Sequence, residues 1–155
     1  MNDIKFSAID GKILLDGDIV APLSLSDFMT FSKERNIKHE EVKRNGDWTM
    51  IRIDVSILSR KFWMYISFAG NEMESCQFYW NGGILNSKGF EINVRELLVD
   101  KNSLTKLFTE ALGVKPSKRS SNYDVFSFEW GTIENCAAIQ TPSVIVEMEW
   151  ASKKL

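Results

Sequence analysis

The chain has 155 residues, of which 44% are hydrophobic and 26% are charged, and its formal net charge at pH 7 is −2. This length and composition predict one soluble globular domain over residues 1–155 and exclude global disorder. Domains that bind nucleic acid are usually basic because phosphate contacts need Lys and Arg. The charge balance therefore disfavours nucleic acid as a partner, although a local basic patch stays open.

The N-terminal segment and the cysteine content indicate a cytoplasmic protein. The first ten residues contain acids and no apolar run, which is not the pattern of a secretory signal. No segment approaches the roughly 20 apolar residues that a membrane span needs. Cys76 and Cys136 are too few for a disulfide framework. We therefore expect reduced thiols and no membrane partner.

Two short strands and a helix are predicted at the start of the chain. Residues 4–9 and 12–15 are typical of strands, and an Asp-Gly pair after each favours a tight turn. Ser24 can cap a helix that runs to about residue 35.

Alternating patterns predict the remaining strands, and a second helix lies among them. The apolar residues of segment 104–112 fall on one helical stripe, and either Asn102 or Ser103 can cap its start. Gly113 suits the left-handed position that ends such a helix. Strands are predicted at residues 48–55, 61–68, 75–80, 89–94, 123–130 and 143–150.

The two halves of the chain share a pattern. Residues 48–55 align with residues 123–130 without a gap, and each segment carries an acid, Asp54 or Glu129, at the same step. A duplicated unit would explain this agreement, and a chance recurrence of the strand-helix rhythm is the alternative.

Two further alignments define the duplicated unit. Residues 11–14 align with residues 82–85, and by pattern alone residues 61–68 correspond to residues 143–150. These matches predict a ββαββ unit that occurs twice within one domain. The halves would be residues 1–70 and 71–155.

Strand alternation sorts the side chains onto two faces of the predicted sheet. One face is apolar in five strands, and the two helices can cover it. The prediction is an α+β fold, with a mainly antiparallel sheet and two helices on one face. The face left to solvent comprises Trp48, Arg52, Asp54, Trp63, Tyr65, Gln77, Tyr79, Glu129, Glu147 and Glu149. Trp, Tyr and Arg are enriched at binding hot spots, although cross-strand packing or a homodimer would also account for them.

Catalytic and metal-binding constellations are missing from the sequence. His39 is the single histidine, so neither a catalytic triad nor a zinc site can be assembled. Glu147 and Glu149 share a strand face and could form a carboxylate pair, which is also common on solvated sheets. Acids beside the aromatic residues would repel phosphate, which disfavours RNA. We expect no catalytic residue, no metal and no cofactor.

Five segments carry a resemblance to a known class of protein. They are residues 11–14, 78–83, 104–113, 126–131 and 144–150. In these segments the chain resembles the small cytosolic immunity proteins of bacterial toxin–immunity systems, including contact-dependent growth inhibition. The resemblance implies a single-domain inhibitor that blocks a cognate toxin domain, often a nuclease, by tight binding without catalysis.

An inhibitor of this kind needs aromatic anchors and complementary charge. The predicted anchors are Trp63, Tyr65 and Tyr79. The acids predicted to steer and pair with a basic toxin are Asp54, Glu129, Glu147 and Glu149. Two other classes stay open, since a small-ligand or regulatory module needs a cavity with convergent polar groups and an enzyme needs a raised carboxyl pKa in a cleft. Both a monomer and a homodimer fit the pattern.

Overall fold

A computed structural model describes residues 2–151, which contain three α-helices and eleven β-strands. The helices are α1 (Leu25–Glu34), α2 (Gly83–Lys88) and α3 (Val94–Leu112), with a 3-10 turn at Gly89–Glu91 before α3. The strands are β1 (Ile4–Phe6), β2 (Ile13–Leu15), β3 (Asp18–Ala21), β4 (Glu40–Asn45), β5 (Trp48–Ile57), β6 (Arg60–Ala69), β7 (Glu72–Trp80), β8 (Lys118–Arg119), β9 (Tyr123–Phe128), β10 (Gly131–Ala138) and β11 (Ser143–Trp150). Strands β1 to β3 form a small sheet, and the other eight form the main sheet.

The main sheet has the strand order β4-β5-β6-β7-β11-β10-β9-β8, and neighbouring strands are antiparallel throughout. Each half is therefore a four-stranded meander, and β7 meets β11 at the centre. A two-fold axis perpendicular to the sheet between these strands would exchange β4–β7 with β8–β11. Tight turns make the meanders possible, as at Gly46, where φ is 61°, a conformation that glycine adopts without strain.

Both long helices pack on the same side of the main sheet. Phe28 of α1 contacts Phe68 of β6 with 5.9 Å between ring centroids. Phe108 of α3 contacts Phe62 of β6 and Phe78 of β7, with centroids 6.3 and 5.9 Å apart. These five rings are buried and form the middle of the core. The predicted α+β fold with two helices on one face is confirmed.

Both helices use caps that the sequence predicts. The Ser24 hydroxyl accepts a hydrogen bond from the Asp27 amide at 3.1 Å, so α1 begins where expected. Gly113 ends α3 in the left-handed conformation with φ 72°.

The start of α3 differs from the prediction. Asn93 Oδ1 accepts from the Glu96 amide at 2.8 Å, and Glu96 Oε1 accepts from the Asn93 amide at 3.2 Å. This capping box begins the helix at Val94, well before the predicted start near residue 102. Residues 89–94, predicted as a strand, are instead the 3-10 turn and the helix start.

Strands β3, β4, β8 and β10 were not among the predicted elements. The omission of β10 matters most because β10 lies between β9 and β11 in the main sheet. Its inward residues are Gly131, Ile133, Asn135 and Ala137. Only one of them is a large apolar residue, so the alternation that marks a strand is weak.

The strand order partly matches the predicted duplication. Strands β5 and β9 hold equivalent places in the two meanders, as the alignment of residues 48–55 with 123–130 requires. However, β6 is equivalent to β10 and not to β11, so the pairing of residues 61–68 with residues 143–150 is wrong. Segment 11–14 enters β2 whereas segment 82–85 starts α2, so that alignment is also wrong. The duplication itself stays a prediction.

A buried polar cluster joins α3 to the second meander. The Lys101 ammonium lies 2.8 Å from Asp124 Oδ2, and both side chains are almost fully buried. Thr105 donates to the same carboxylate at 2.6 Å, and the Asn135 amide donates to Thr105 Oγ1 at 2.8 Å. Burial alone would raise the pKa of Asp124, but hydrogen bonds from Lys101, Thr105 and Arg119 outweigh it and lower the pKa. The cluster therefore holds α3 in one register on β9 and β10.

The substitution Asp124→Asn is expected to destabilise the fold by about 3–5 kcal/mol, because it leaves the Lys101 ammonium buried without a counter-charge. Urea unfolding measures this change in the free energy of unfolding. The control is Arg119→Gln, which removes a cation whose side chain is 60% exposed and is expected to cost less than about 1 kcal/mol. Equal costs for the two substitutions would contradict the assignment.

Candidate binding surface

The open face is our name for the side of the main sheet that points away from α1 and α3. Strand pairing arranges its side chains in rows across the sheet. The central row is Glu40, Arg52, Tyr65, Gln77, Glu147, Glu134, Val125 and Lys118. The row on one side of it is Asp54, Trp63, Tyr79, Ile145, Cys136 and Tyr123. The row on the other side is Lys43, Met50, Ser67, Ser75, Glu149, Thr132 and Ser127. Neighbouring rows are about 7 Å apart, since they differ by two residues along each strand.

The three predicted anchors form one aromatic cluster on the open face. Trp63 and Tyr79 are direct cross-strand partners in the β6–β7 register. The rings of Tyr65 and Tyr79 meet edge to face with 5.0 Å between centroids. Each ring is partly exposed, so the cluster combines a fixed geometry with surface that a partner can reach.

Three of the four predicted acids lie on the open face, and one does not. Three of them face the open side as expected: Asp54, Glu147 and Glu149. Strand β9 ends at Phe128, so Glu129 lies in the turn to β10, and its predicted position on the sheet face is wrong. Glu134 of β10, which the sequence does not predict as a site residue, faces the open side and lies directly opposite Glu147.

The carboxylates around Glu149 repel one another. Partial burial raises the pKa of Glu149 above its usual range, and the neighbouring Glu147, Glu134 and Glu74 raise it further. Glu147 contributes both through its charge and through a hydrogen bond with the protonated form. The folded state therefore stores unfavourable charge here that a bound cation would relieve.

Hydrogen bonds connect the aromatic cluster to the acids. Gln77 Nε2 donates to Glu147 Oε1 at 2.9 Å, and the Tyr79 hydroxyl donates to Gln77 Oε1 at 3.4 Å. Burial raises the pKa of Tyr79, with smaller contributions from Tyr65 and Glu147, so this hydroxyl stays neutral. On the far side of the cluster, Arg52 pairs with Glu40 at 3.1 Å. The surface is thus an ordered polar network around three rings.

Two concavities adjoin the two ends of the aromatic cluster. A depression of about 1010 Å³ lies beside the Glu149 row and is lined by Trp48, Met50, Gln77, Glu147 and Glu149 among others. A smaller pocket of about 340 Å³ lies beyond the Trp63 row, where the main sheet meets α2 and α3. The open face therefore offers an acidic end and an aromatic end.

Other kinds of chemistry have little support in the described residues. Within residues 2–151, no group of three or more His, Cys, Asp and Glu side chains is arranged to hold a metal ion. No helix in this part of the chain is long and apolar enough to cross a membrane. Burial raises the thiol pKa of both Cys76 and Cys136, so neither is activated as a nucleophile.

Comparison of the chain with protein-family models, with curated proteins and with solved structures finds no match. Neither the resemblance to toxin-immunity proteins nor any other relationship receives support from these comparisons. The physical chemistry of the open face is therefore what bears on function.

The substitution Glu149→Gln is expected to raise the melting temperature at pH 7–8 by about 1–2 °C, since relief of surface repulsion is worth about 0.5 kcal/mol. A carboxyl whose folded-state pKa is raised destabilises the fold when ionised, and this penalty disappears as the pH falls through that pKa. The gain should therefore vanish near pH 4. Calorimetry across this range, with the exposed Glu91→Gln as control, measures it. An equal gain from Glu91→Gln, or a gain that does not depend on pH, would refute the repulsion.

Proposed function

We propose that this chain is an immunity-type inhibitor that binds and neutralises a cognate bacterial toxin domain through the open face. The observation that supports the proposal is the cluster of Trp63, Tyr65 and Tyr79, bordered by acids, on the side of the sheet that faces away from both long helices. Large partly exposed aromatic residues in one contiguous patch mark a surface that a partner covers.

The aromatic cluster supplies the anchors of the proposed interface. Tyr and Trp rings contribute large contact areas and lose little conformational entropy on binding. Here the rings are already held by cross-strand contacts, and the Tyr79 hydroxyl is held by Gln77. A surface that is ordered before binding loses less free energy to ordering when the partner arrives.

The acids define the class of partner. Glu134, Glu147 and Glu149 lie together, and the basic residues of the central row are Lys118, two strands from Glu134, and Arg52, three strands from Glu147. A toxin domain that acts on nucleic acid needs a basic surface to hold phosphates. Carboxylates opposite that surface would accelerate association and would compete with the substrate for the same cations. A nuclease toxin is therefore the partner that this charge pattern fits best.

The carboxylate pair favours binding over hydrolysis. A glycosidase-type dyad places its two carboxyl groups about 5–9 Å apart on either side of the bond that is cleaved. Glu147 and Glu149 instead lie two residues apart on the same face of β11, beside each other and not across a cleft. Partial burial, together with the neighbouring like charges, accounts for the raised pKa of Glu149.

A small-ligand-binding module is the second candidate. One observation favours it, the 340 Å³ pocket beside Trp63 and Tyr79. Its volume lies at the lower limit of small-molecule sites.

Reversing the charges of the acidic group is the first test of the proposed function. The triple variant Glu134→Lys, Glu147→Lys and Glu149→Lys is expected to weaken binding to the cognate toxin domain at least about 100-fold. The partner to titrate is the product of the coding region immediately upstream, carrying substitutions that abolish any toxic activity, and calorimetric titration measures the affinity. The matched control reverses Glu34, Glu91 and Glu110, which are exposed acids outside the open face. Unchanged affinity in the first triple, or an equal loss in both, would exclude this surface.

Truncating an anchor tests the aromatic cluster separately. The substitution Trp63→Ala is expected to cost about 2 kcal/mol of binding free energy, or roughly 30-fold in Kd, mostly through faster dissociation. The control is Phe90→Ala, because Phe90 is 85% exposed and lies in the turn before α3. Surface plasmon resonance with the same toxin domain gives both rates. An effect of Phe90→Ala as large as that of Trp63→Ala would contradict the assignment.

A further inference from the structure

The 340 Å³ pocket lies at the point where β7 leaves the main sheet. The last pair that β7 forms with β11 is Tyr79 with Ile145, and the chain then turns into α2. The gap that opens between the two strands is lined by Trp80 on one side and Val144 on the other. Its wall toward the helices includes Asp100 and Leu104 of α3.

Three aromatic side chains line this pocket: Trp63, Tyr79 and Trp80. The Trp80 ring is fixed because it packs directly on two glycines. A Cβ atom at Gly82 would lie 2.7 Å from Trp80 Nε1, and one at Gly83 would lie 2.6 Å from the same ring. The Arg60 guanidinium lies 5.9 Å from the centroid of this ring, so one of the three rings already accepts a cation from outside the pocket.

A buried carboxylate completes the lining. Asp100 is 3% exposed, and its two oxygens accept the amide hydrogens of Ile84 at 2.9 Å and Leu85 at 2.8 Å. Within residues 2–151 it forms no salt bridge. A carboxylate has about four acceptor positions, so two remain after these bonds. The two amide hydrogen bonds stabilise this buried carboxylate, and a cation in the pocket would supply the counter-charge that it lacks.

We propose that this pocket binds an alkylammonium group, held by the aromatic rings of Trp63, Tyr79 and Trp80 and by the carboxylate of Asp100. Aromatic rings around an acid form the chemical pattern that recognises organic cations, because ring faces and carboxylates attract positive charge while the walls contact the alkyl chain. The volume accommodates a single alkyl amine or one lysine side chain. This site does not depend on the proposed toxin partner.

The direct test is an NMR titration of the full chain with n-butylammonium and with its uncharged isostere, 1-butanol. The cation is expected to move the indole N–H signals of Trp63 and Trp80 and the amide signals of Ile84 and Leu85, whereas 1-butanol should leave them in place. Equal binding of both compounds would overturn the proposal, because it would indicate an apolar pocket without cation recognition. An absence of any shift with n-butylammonium would overturn it as well.

Two substitutions test the walls and the acid. Trp63→Leu is expected to weaken n-butylammonium about 5- to 30-fold through the lost cation–π contact, and Asp100→Asn is expected to weaken it further. Because Asp100 also holds the start of α2, the Trp63 variant keeps the test valid if the Asp100 variant unfolds. The control is Trp48→Leu, since Trp48 lies at the other end of the open face and has its own cation contact with Lys43. An equal loss in the control would refute the site.

The source of the alkylammonium group is distinguished by a third probe, N-acetyl-lysine methylamide. Binding as tight as that of n-butylammonium supports a lysine side chain of a polypeptide as the natural occupant. Exclusion of this probe, with n-butylammonium still bound, supports a free amine.

Discussion

The structure depends on the one-sided covering of the main sheet by α1 and α3. In β5, β6, β7 and β11, strand alternation collects apolar side chains on one side of the sheet, and both helices pack on that side. The contacts of Phe28 with Phe68 and of Phe108 with Phe62 fix this arrangement. Because neither long helix covers the second side, the side chains there are not part of the helix-facing core. The aromatic and acidic character of the open face is therefore not explained by core packing.

The acidic part of the open face is arranged at the expense of stability. Glu134, Glu147 and Glu149 lie close together, and partial burial and their mutual repulsion raise the pKa of Glu149. Elsewhere the same chain neutralises its buried charge, since Asp124 meets Lys101 and accepts hydrogen bonds that lower its pKa. The chain thus neutralises charge in its core but concentrates like charge on the open face. A cationic partner bound to the open face would neutralise that charge.

Much of this architecture could be predicted from the sequence because it follows from local periodicity. The two-residue period of strands predicts the alternating faces of β5, β6, β7 and β11. A glycine that favours the left-handed conformation predicts the end of α3 at Gly113. Two of the failures, the start of α3 and the strand β10, occur where polar residues are buried. Asp100 and Lys101 interrupt the apolar stripe of α3, and Asn135 interrupts that of β10. The partners of these polar residues come from distant segments, so local periodicity does not predict their burial. Glu134 was missed with β10, although a connection of about a dozen residues between predicted strands was a signal that a strand was missing.

Cross-saturation NMR on the complex with the proposed toxin partner tests whether that partner covers the open face. The toxin protons are irradiated, and the loss of amide signal in this chain marks the residues that lie against the toxin. We expect the losses on β5, β6, β7 and β11, with the strongest at Trp63, Tyr65, Gln77 and Glu147. Losses concentrated on the solvent sides of α1 and α3, with the open face unaffected, would show that the partner binds the helical side instead.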